Sequence, residues 1–168
     1  MPLELDIQNP AELNNIPCNE SLLIWVNSAL QEKLTNTAIS LVLRVVDAAE
    51  SQSLNTQFRQ KNSPTNVLSF PFEMPQEIPE LGTLNPAENL IRHLGDLVLC
   101  APIIEQEALQ QGKTLTQHWA HMIIHGMLHL QGYDHLETSQ AEEMETLEID
   151  ILKQLGFPDP YVINTVSK

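Results

Sequence analysis

From Thr114 to Gln131 the chain reads TLTQHWAHMIIHGMLHLQ, and nearly everything in its middle that is not histidine is apolar. On a helix turning about 100° per residue, His118, His121, His125 and His129 fall within an arc of roughly 80°. Trp119, Met122, Ile123, Ile124, Met127, Leu128 and Leu130 cover the rest. A helix that is apolar all round is buried, so the fold has to be built around this one. It carries a stripe of imidazoles inward with it. Buried polar groups need partners, and four in succession are hard to satisfy with backbone groups alone. A metal ion satisfies several at once.

A chain of 168 residues, 42% hydrophobic, is most simply one domain, and it can bury a core without disulfides. We take residues 1–168 as that domain, with 159–168 as a loose tail. No apolar run reaches the ~18 residues of a membrane span. The start, MPLELDIQNP, has neither a basic nor an apolar leader region, so a cytoplasmic location is expected. Cys18 and Cys100 form no CxxC pattern and read as reduced thiols, with Cys100 in the core. The net charge of −14 argues against broad adhesion to nucleic acid or to anionic membrane, which basic surface drives. Glu137, Glu142, Glu143, Glu145, Glu148 and Asp150 concentrate late in the chain and read as a solvated helix face.

Strand and helix patterns alternate along the chain. LELDIQN, AISLVLRVV, NVLSFPF and GDLVLCA read as strands. Asn19–Leu34 carries Leu22, Trp25, Val26 and Leu30 at helical spacing. Asp47 is placed to cap a helix through Phe58. Pro102 opens a helix ending near Gly112, and Thr114 begins the histidine helix. Ser139 and Glu142 have capping-box spacing at the head of a last helix that stops at Gly156, just before Pro158. The proline- and acid-rich stretch from Glu73 to Asn89 reads as a loop.

His125 and His129 are four residues apart, so their side chains reach one ion from adjacent turns. His121 is an awkward third ligand. It stands eight residues from His129, ~12 Å along the axis, whereas zinc–nitrogen bonds are about 2.0–2.1 Å. His135 is better placed, because Gly132 can end the helix in a left-handed conformation and let the chain turn back. The expected ligand set is His125, His129 and His135, leaving a fourth position open as in catalytic zinc sites. His118 and His121 are expected to be core or supporting groups. Asp134 and Asp96 are candidates to orient a ligand histidine.

The spacing H-x3-H-x5-H, with Gly132 between the last two, is that of the metzincin proteases. Their general-base glutamate is replaced here by Gly126. Mid-helix glycine costs ~1 kcal/mol against alanine. It is explained either by close packing of the helix or by a need for space above the metal. Peptide hydrolysis by the protease route is disfavoured in both cases.

The segment HGMLHLQGYDH closely resembles the signature of the YbeY family, bacterial metal-dependent endoribonucleases of ribosomal RNA maturation and ribosome quality control. FRQKNSPTNVLSFPF (Phe58–Phe72) and LGDLVLC (Leu94–Cys100) agree in order and separation, so the resemblance runs from about residue 3 to 157. It implies an α+β fold, a small mixed sheet of about four strands with about five or six helices. It implies one zinc per chain on His125, His129 and His135, and a functional arginine at Arg59. Arg59 has its own physical case, since guanidinium forks match phosphate oxygens and the chain holds only eight basic residues. Without the resemblance, an ordinary surface arginine would be the better reading. Lys61, Thr65, Asn66 and Ser69 are further candidates for substrate contact, although turn chemistry explains Thr65 and Asn66 as well. The implied substrate is single-stranded ribosomal RNA, with the ribosome or its small subunit as partner, and neither membrane nor DNA. The competing readings are a zinc-containing assembly factor without catalysis and a metal hydrolase acting on peptides.

Overall fold

The computed structural model describes residues 3–30, 38–71, 92–133 and 137–161. In chain order they form β1 (Leu3–Gln8), α1 (Asn19–Ser28), β2 (Ile39–Val46), α2 (Ala48–Arg59), β3 (Val67–Pro71), β4 (Arg92–Cys100), α3 (Ala101–Gln111), α4 (Leu115–Leu130) and α5 (Thr138–Gln154). The strands make one mixed sheet in the order β1-β2-β4-β3. β1, β2 and β4 are parallel, and β3 runs antiparallel to β4 at the edge. The architecture is therefore the expected α+β one, with five helices among the described residues.

Period-two alternation sorts the strand residues onto two faces. Ile39, Leu41, Leu43, Val45, Leu97 and Leu99 enter the larger core with α1, α4 and α5. Val46, Leu68, Val98 and Cys100 form a smaller core on the other face, with Ala48 and Leu54 of α2 against it. β4 begins three residues before the expected GDLVLCA and holds a bulge. Ser40 pairs with His93 but Leu41 with Gly95, so Leu94 is the extra residue. Gly95 has φ 150°, and a Cβ there would lie 2.4 Å from the carbonyl oxygen of Phe70. Only glycine fits that bend against the neighbouring strand.

The helix ends follow the chemistry of the chain, with two corrections. Asp47 caps α2 by accepting from the Glu50 amide at 2.9 Å. Thr114 and Gln117 form a reciprocal capping box on α4, a pairing the sequence reading missed. On α5 the box is Glu137 with Gln140, not Ser139 with Glu142; Ser139 is already inside the first turn. α1 stops at Ser28, before the expected Leu34, where its last turn tightens into i→i+3 bonds from Ala29 and Leu30. Residues 31–34 and the Glu73–Asn89 loop lie outside the described residues.

α4 is the element the others surround. It touches α1, α3, α5, β3 and β4, and its buried residues run from His118 to Leu130 with only His125 and His129 half-exposed. Gly126 allows the contact with the sheet. A Cβ there would stand 2.2 Å from Leu97 Cδ1, 3.1 Å from Val67 Cγ2 and 3.3 Å from Ser69 Oγ. Of the two explanations for this glycine, close packing of the helix is the one the contacts support. Among the described residues, no helix is long and apolar enough to cross a membrane.

Two expectations follow from α4. Gly126→Ala gains ~1 kcal/mol of helix propensity, but overpacking against Leu97 costs about 1–3 kcal/mol. The variant should unfold at lower urea than the wild type, and a midpoint at or above the wild-type value would refute the tight contact. The second concerns His118, which is buried and whose Nε2 lies 2.8 Å from Glu107 Oε1. Burial lowers its pKa below the ordinary value, the Glu107 hydrogen bond and charge opposing without overcoming it. The unfolded chain therefore binds the extra proton first, below about pH 6.5. Stability from a neutral His118 is complete above that pH and is lost as pH falls towards the lower folded pKa. His118→Gln, which keeps an N–H for Glu107, should flatten the decline in urea midpoint below about pH 6.5. An unchanged acid limb would count against it.

Candidate active site

Three segments meet at one cleft of about 780 Å³. The end of α2 brings Asn55, Arg59 and Lys61; the turn and β3 bring Thr65 to Ser69; α4 and the turn after it bring His125, His129 and Tyr133. The sequence candidates Arg59, Lys61, Thr65, Asn66, Ser69, His125 and His129 thus converge on one surface. His135 and Asp134 lie outside the described residues.

Local bonding explains how the α2–β3 segment is held. Gln60 takes a left-handed conformation, φ 61°, and closes α2 with its amide on the Thr56 carbonyl, while Lys61 bonds the Asn55 carbonyl. The following turn is tied back to α2 by two buried polar side chains. Ser51 Oγ donates to the Thr65 carbonyl (2.8 Å) and accepts from the Thr65 amide (2.9 Å). Asn55 Nδ2 donates to the Ser63 carbonyl at 2.8 Å. Asn66 is occupied structurally. Its Nδ2 donates to Glu107 at 3.0 Å and its Oδ1 accepts from the Val67 amide at 2.6 Å.

Arg59, the last residue of α2, is exposed. Its Nη2 donates to the Ser69 carbonyl at 2.6 Å, and its guanidinium carbon lies 5.4 Å from the centre of the Phe70 ring. That contact engages one edge of the guanidinium and leaves its other donors for a ligand. Ser69 also ties β3 to α4, with Oγ donating to the Gly126 carbonyl at 3.1 Å.

The imidazoles divide by partner. His118 bonds Glu107 through Nε2, and His121 bonds Glu148 Oε1 through Nε2 at 3.0 Å. His125 uses the other nitrogen, with Nδ1 2.5 Å from Glu148 Oε2. A hydrogen bond made through Nδ1 leaves Nε2 as the nitrogen a metal would take. The His125 and His129 rings are 4.7 Å apart, centre to centre, at 79°. Nitrogen donors on adjacent turns, beside a cleft, fit a zinc or similar ion. Among the described residues no group of three histidines, cysteines or carboxylates could hold a metal, and the proposed third ligand, His135, is outside them.

Glu148 is a buried partner of the histidines that sequence reading missed. It belongs to the acidic run expected to be solvated, yet its side chain is 0% exposed, while Glu142, Glu143, Glu145 and Asp150 are exposed as expected. Burial alone would raise its pKa. Hydrogen bonds from His121 and His125, the His125 charge and the Tyr161 hydroxyl outweigh burial and bring it down to about 2. Asp96 has another partner, His93, whose Nε2 is 3.3 Å away and whose Nδ1 meets Ser40 Oγ. Cys100 is buried and Cys18 exposed, both free.

A sequence profile described as endoribonuclease YbeY matches residues 6–156 of the chain. Among solved structures, the solution structure of TM1509 from Thermotoga maritima aligns at a TM-score of 0.51 with 23% identity. The alignment covers 94% of this chain and 99% of that one. At that identity the likeness is one of fold. The profile match spans both the segment that carries Arg59 and the helix that carries His125 and His129. The chain therefore belongs to the YbeY family of endoribonucleases, metal-dependent RNA hydrolases of ribosomal RNA maturation.

Proposed function

We propose that the chain is a zinc-dependent endoribonuclease that cuts single-stranded ribosomal RNA in the cytoplasm, in association with the ribosome or its small subunit, including in ribosome quality control. His125, His129 and His135 hold the zinc, one per chain, and Arg59 holds the substrate phosphate. The supporting observation is one cleft that joins Arg59 and Lys61 to His125 and His129 in a chain with a net charge of −14. An acidic protein that acts on a polyanion needs its few cations where the phosphates sit.

When bound, the zinc supplies Lewis acidity at the scissile phosphate. The protein groups do the rest. Arg59, steadied by the Ser69 carbonyl, presents a planar fork to two phosphate oxygens and offsets charge that grows in the transition state. Lys61 adds a second positive charge along the backbone. Gly126 stands where a zinc protease has its base, and a side chain there would run into Leu97 and Val67. A glutamate introduced there would clash with the sheet, which supports RNA over peptide as substrate. An RNA strand carries its own 2′-hydroxyl beside each phosphate, and attack by that group, with the 5′-oxygen leaving, needs no glutamate at position 126. An unpaired strand suits the cleft better than an A-form duplex, whose phosphates are held on a rigid surface.

Zinc content separates ligands from neighbours. His125→Ala, His129→Ala and His135→Ala should each fall well below one equivalent by elemental analysis, and His121→Ala should keep most of it. Loss of zinc from His121→Ala with full loading of His135→Ala would overturn the ligand set. Arg59→Ala should keep its zinc and lose no more than about 1 kcal/mol of stability, the net worth of one hydrogen bond. Its cleavage of single-stranded RNA should drop about 10²–10³-fold, by analogy with the loss of an oxyanion donor. Arg59→Lys should recover only part, because an ammonium lacks the planar fork. Wild-type rates from Arg59→Ala with zinc in place would exclude the phosphate clamp.

A further inference from the structure

The buried carboxylate of Glu148 joins the C-terminal segment to His125. Its Oε2 faces His125 Nδ1, and its Oε1 receives both His121 Nε2 and the Tyr161 hydroxyl. The Tyr161 ring stands edge-on to His121, 5.3 Å between centres at 85°. Tyr161 is itself anchored. Its amide donates to Asp159 Oδ1 at 2.8 Å, and Lys113 Nζ donates to the neighbouring Pro160 carbonyl at 2.9 Å. The segment that follows α5 is thus tied to Lys113, just before α4, and reaches through Tyr161 to the carboxylate that contacts His125.

We propose that Glu148 is a positioning residue that fixes the tautomer and ring orientation of His125, and that Tyr161 is the latch that holds Glu148 in place. The proposal rests on the reading of His125 as a metal ligand. An ionised carboxylate only accepts hydrogen bonds, so His125 Nδ1 carries a proton, and a metal would be taken by Nε2. His121, bonded to the same carboxylate through Nε2, is held in the opposite tautomer and withdrawn from ligation. A buried charge is costly unless its acceptors are filled. Three donors on two oxygens fill them, and they also prevent the carboxylate from rotating away. Carboxylates behind ligand histidines raise ligand basicity as well as fixing the ring.

Two measurements on the metal-free protein and its zinc titration decide this. Long-range ¹⁵N–¹H spectra of the wild type should show His125 as the Nδ1–H tautomer and His121 as Nε2–H; His125 as Nε2–H would overturn the proposal with no variant required. Competition with a chromophoric chelator should show Glu148→Gln binding zinc about 10–100-fold more weakly. Its side-chain amide cannot accept from His125 and His121 together, so a shift of His125 towards Nε2–H is expected. Tyr161→Phe keeps the ring and removes only the latch hydroxyl. It should weaken zinc binding several-fold, less than Glu148→Gln, with the circular dichroism spectrum unchanged. Glu148→Asp should restore part of the affinity. If Glu148→Gln fails to fold, Tyr161→Phe and the wild-type tautomers still decide. Wild-type zinc affinity in both variants would overturn the proposal. His129→Ala serves as the control for the underlying reading. If it keeps full zinc affinity, the ligand set has failed, while the tautomer result still reports on Glu148.

Discussion

The histidine helix meets the sheet at a residue with no side chain. Gly126 lets α4 lie against β3 and β4, and its carbonyl accepts from Ser69 Oγ. The Ser69 carbonyl in turn accepts from Arg59. A single strand residue therefore stands between the helix that bears His125 and His129 and the cation at the end of α2. The spacing of these groups across the cleft depends on how closely helix and sheet meet. A methyl group at 126 would force either the Leu97 side chain or the helix itself to shift, and a shift of the helix would carry the imidazoles with it. The energetic cost of a mid-helix glycine is offset by this approach, which also turns β3 into one wall of the site.

A second constraint is the polarity of α4. A buried helix with four imidazoles would be poorly stable if each had to find backbone partners. The structure answers with carboxylates from two neighbouring helices, Glu107 on α3 and Glu148 on α5. Each serves more than one donor. Glu107 also accepts from Asn66, which links the turn before β3 to the histidine helix. Packing and hydrogen bonding are coupled here, since α3 and α5 must close on α4 before either carboxylate meets its partners. The Nδ1 atoms of His118 and His121 have no hydrogen-bond partner. That is tolerable for neutral imidazoles whose proton is on Nε2, because only a weak acceptor is left unsatisfied. Lowering of the His118 pKa by burial agrees with this neutral state.

The legible features were those that announce themselves through period or cap. Alternation in LELDIQ and ISLVLRVV marks strands, Asp47 and Thr114 mark helix starts, and the imidazole arc marks α4. Glu148 escaped because it sits among other acids, and composition makes the whole run look solvated. Periodicity contained the correction. Met144, Glu148, Ile151 and Leu152 lie at i, i+4, i+7 and i+8 and form the buried stripe of α5. A carboxylate on the apolar stripe of one helix, with imidazoles on the apolar stripe of another, is a pairing that a sequence can suggest but not register. Ser51 and Asn55 on α2 are a related case, polar residues at core positions whose partners are carbonyls of the turn that follows the helix. The capping error on α5 has a different origin. Ser139 and Glu142 have the right spacing, but Glu137 and Gln140 have it too, two residues earlier, and the helix starts at Thr138.

A net charge of −14 and an RNA substrate place opposite demands on this surface. A net negative chain offers no long-range attraction to a polyanion, and at physiological salt charges further than about 8–10 Å from a phosphate are screened. Binding in the proposed role must then come from short-range contacts in the cleft. Arg59 and Lys61 are its cations. Few phosphates are neutralised in such a site, so little counterion is released and affinity depends only weakly on salt. An arginine fork suits that regime better than a spread of lysines, because directional hydrogen bonds to one phosphate do not rely on a surrounding positive field. The acidic exterior then acts as a filter. Duplex or stray RNA gains nothing by approaching elsewhere, and only a strand delivered to the cleft meets the Arg59 fork with the histidines beside it.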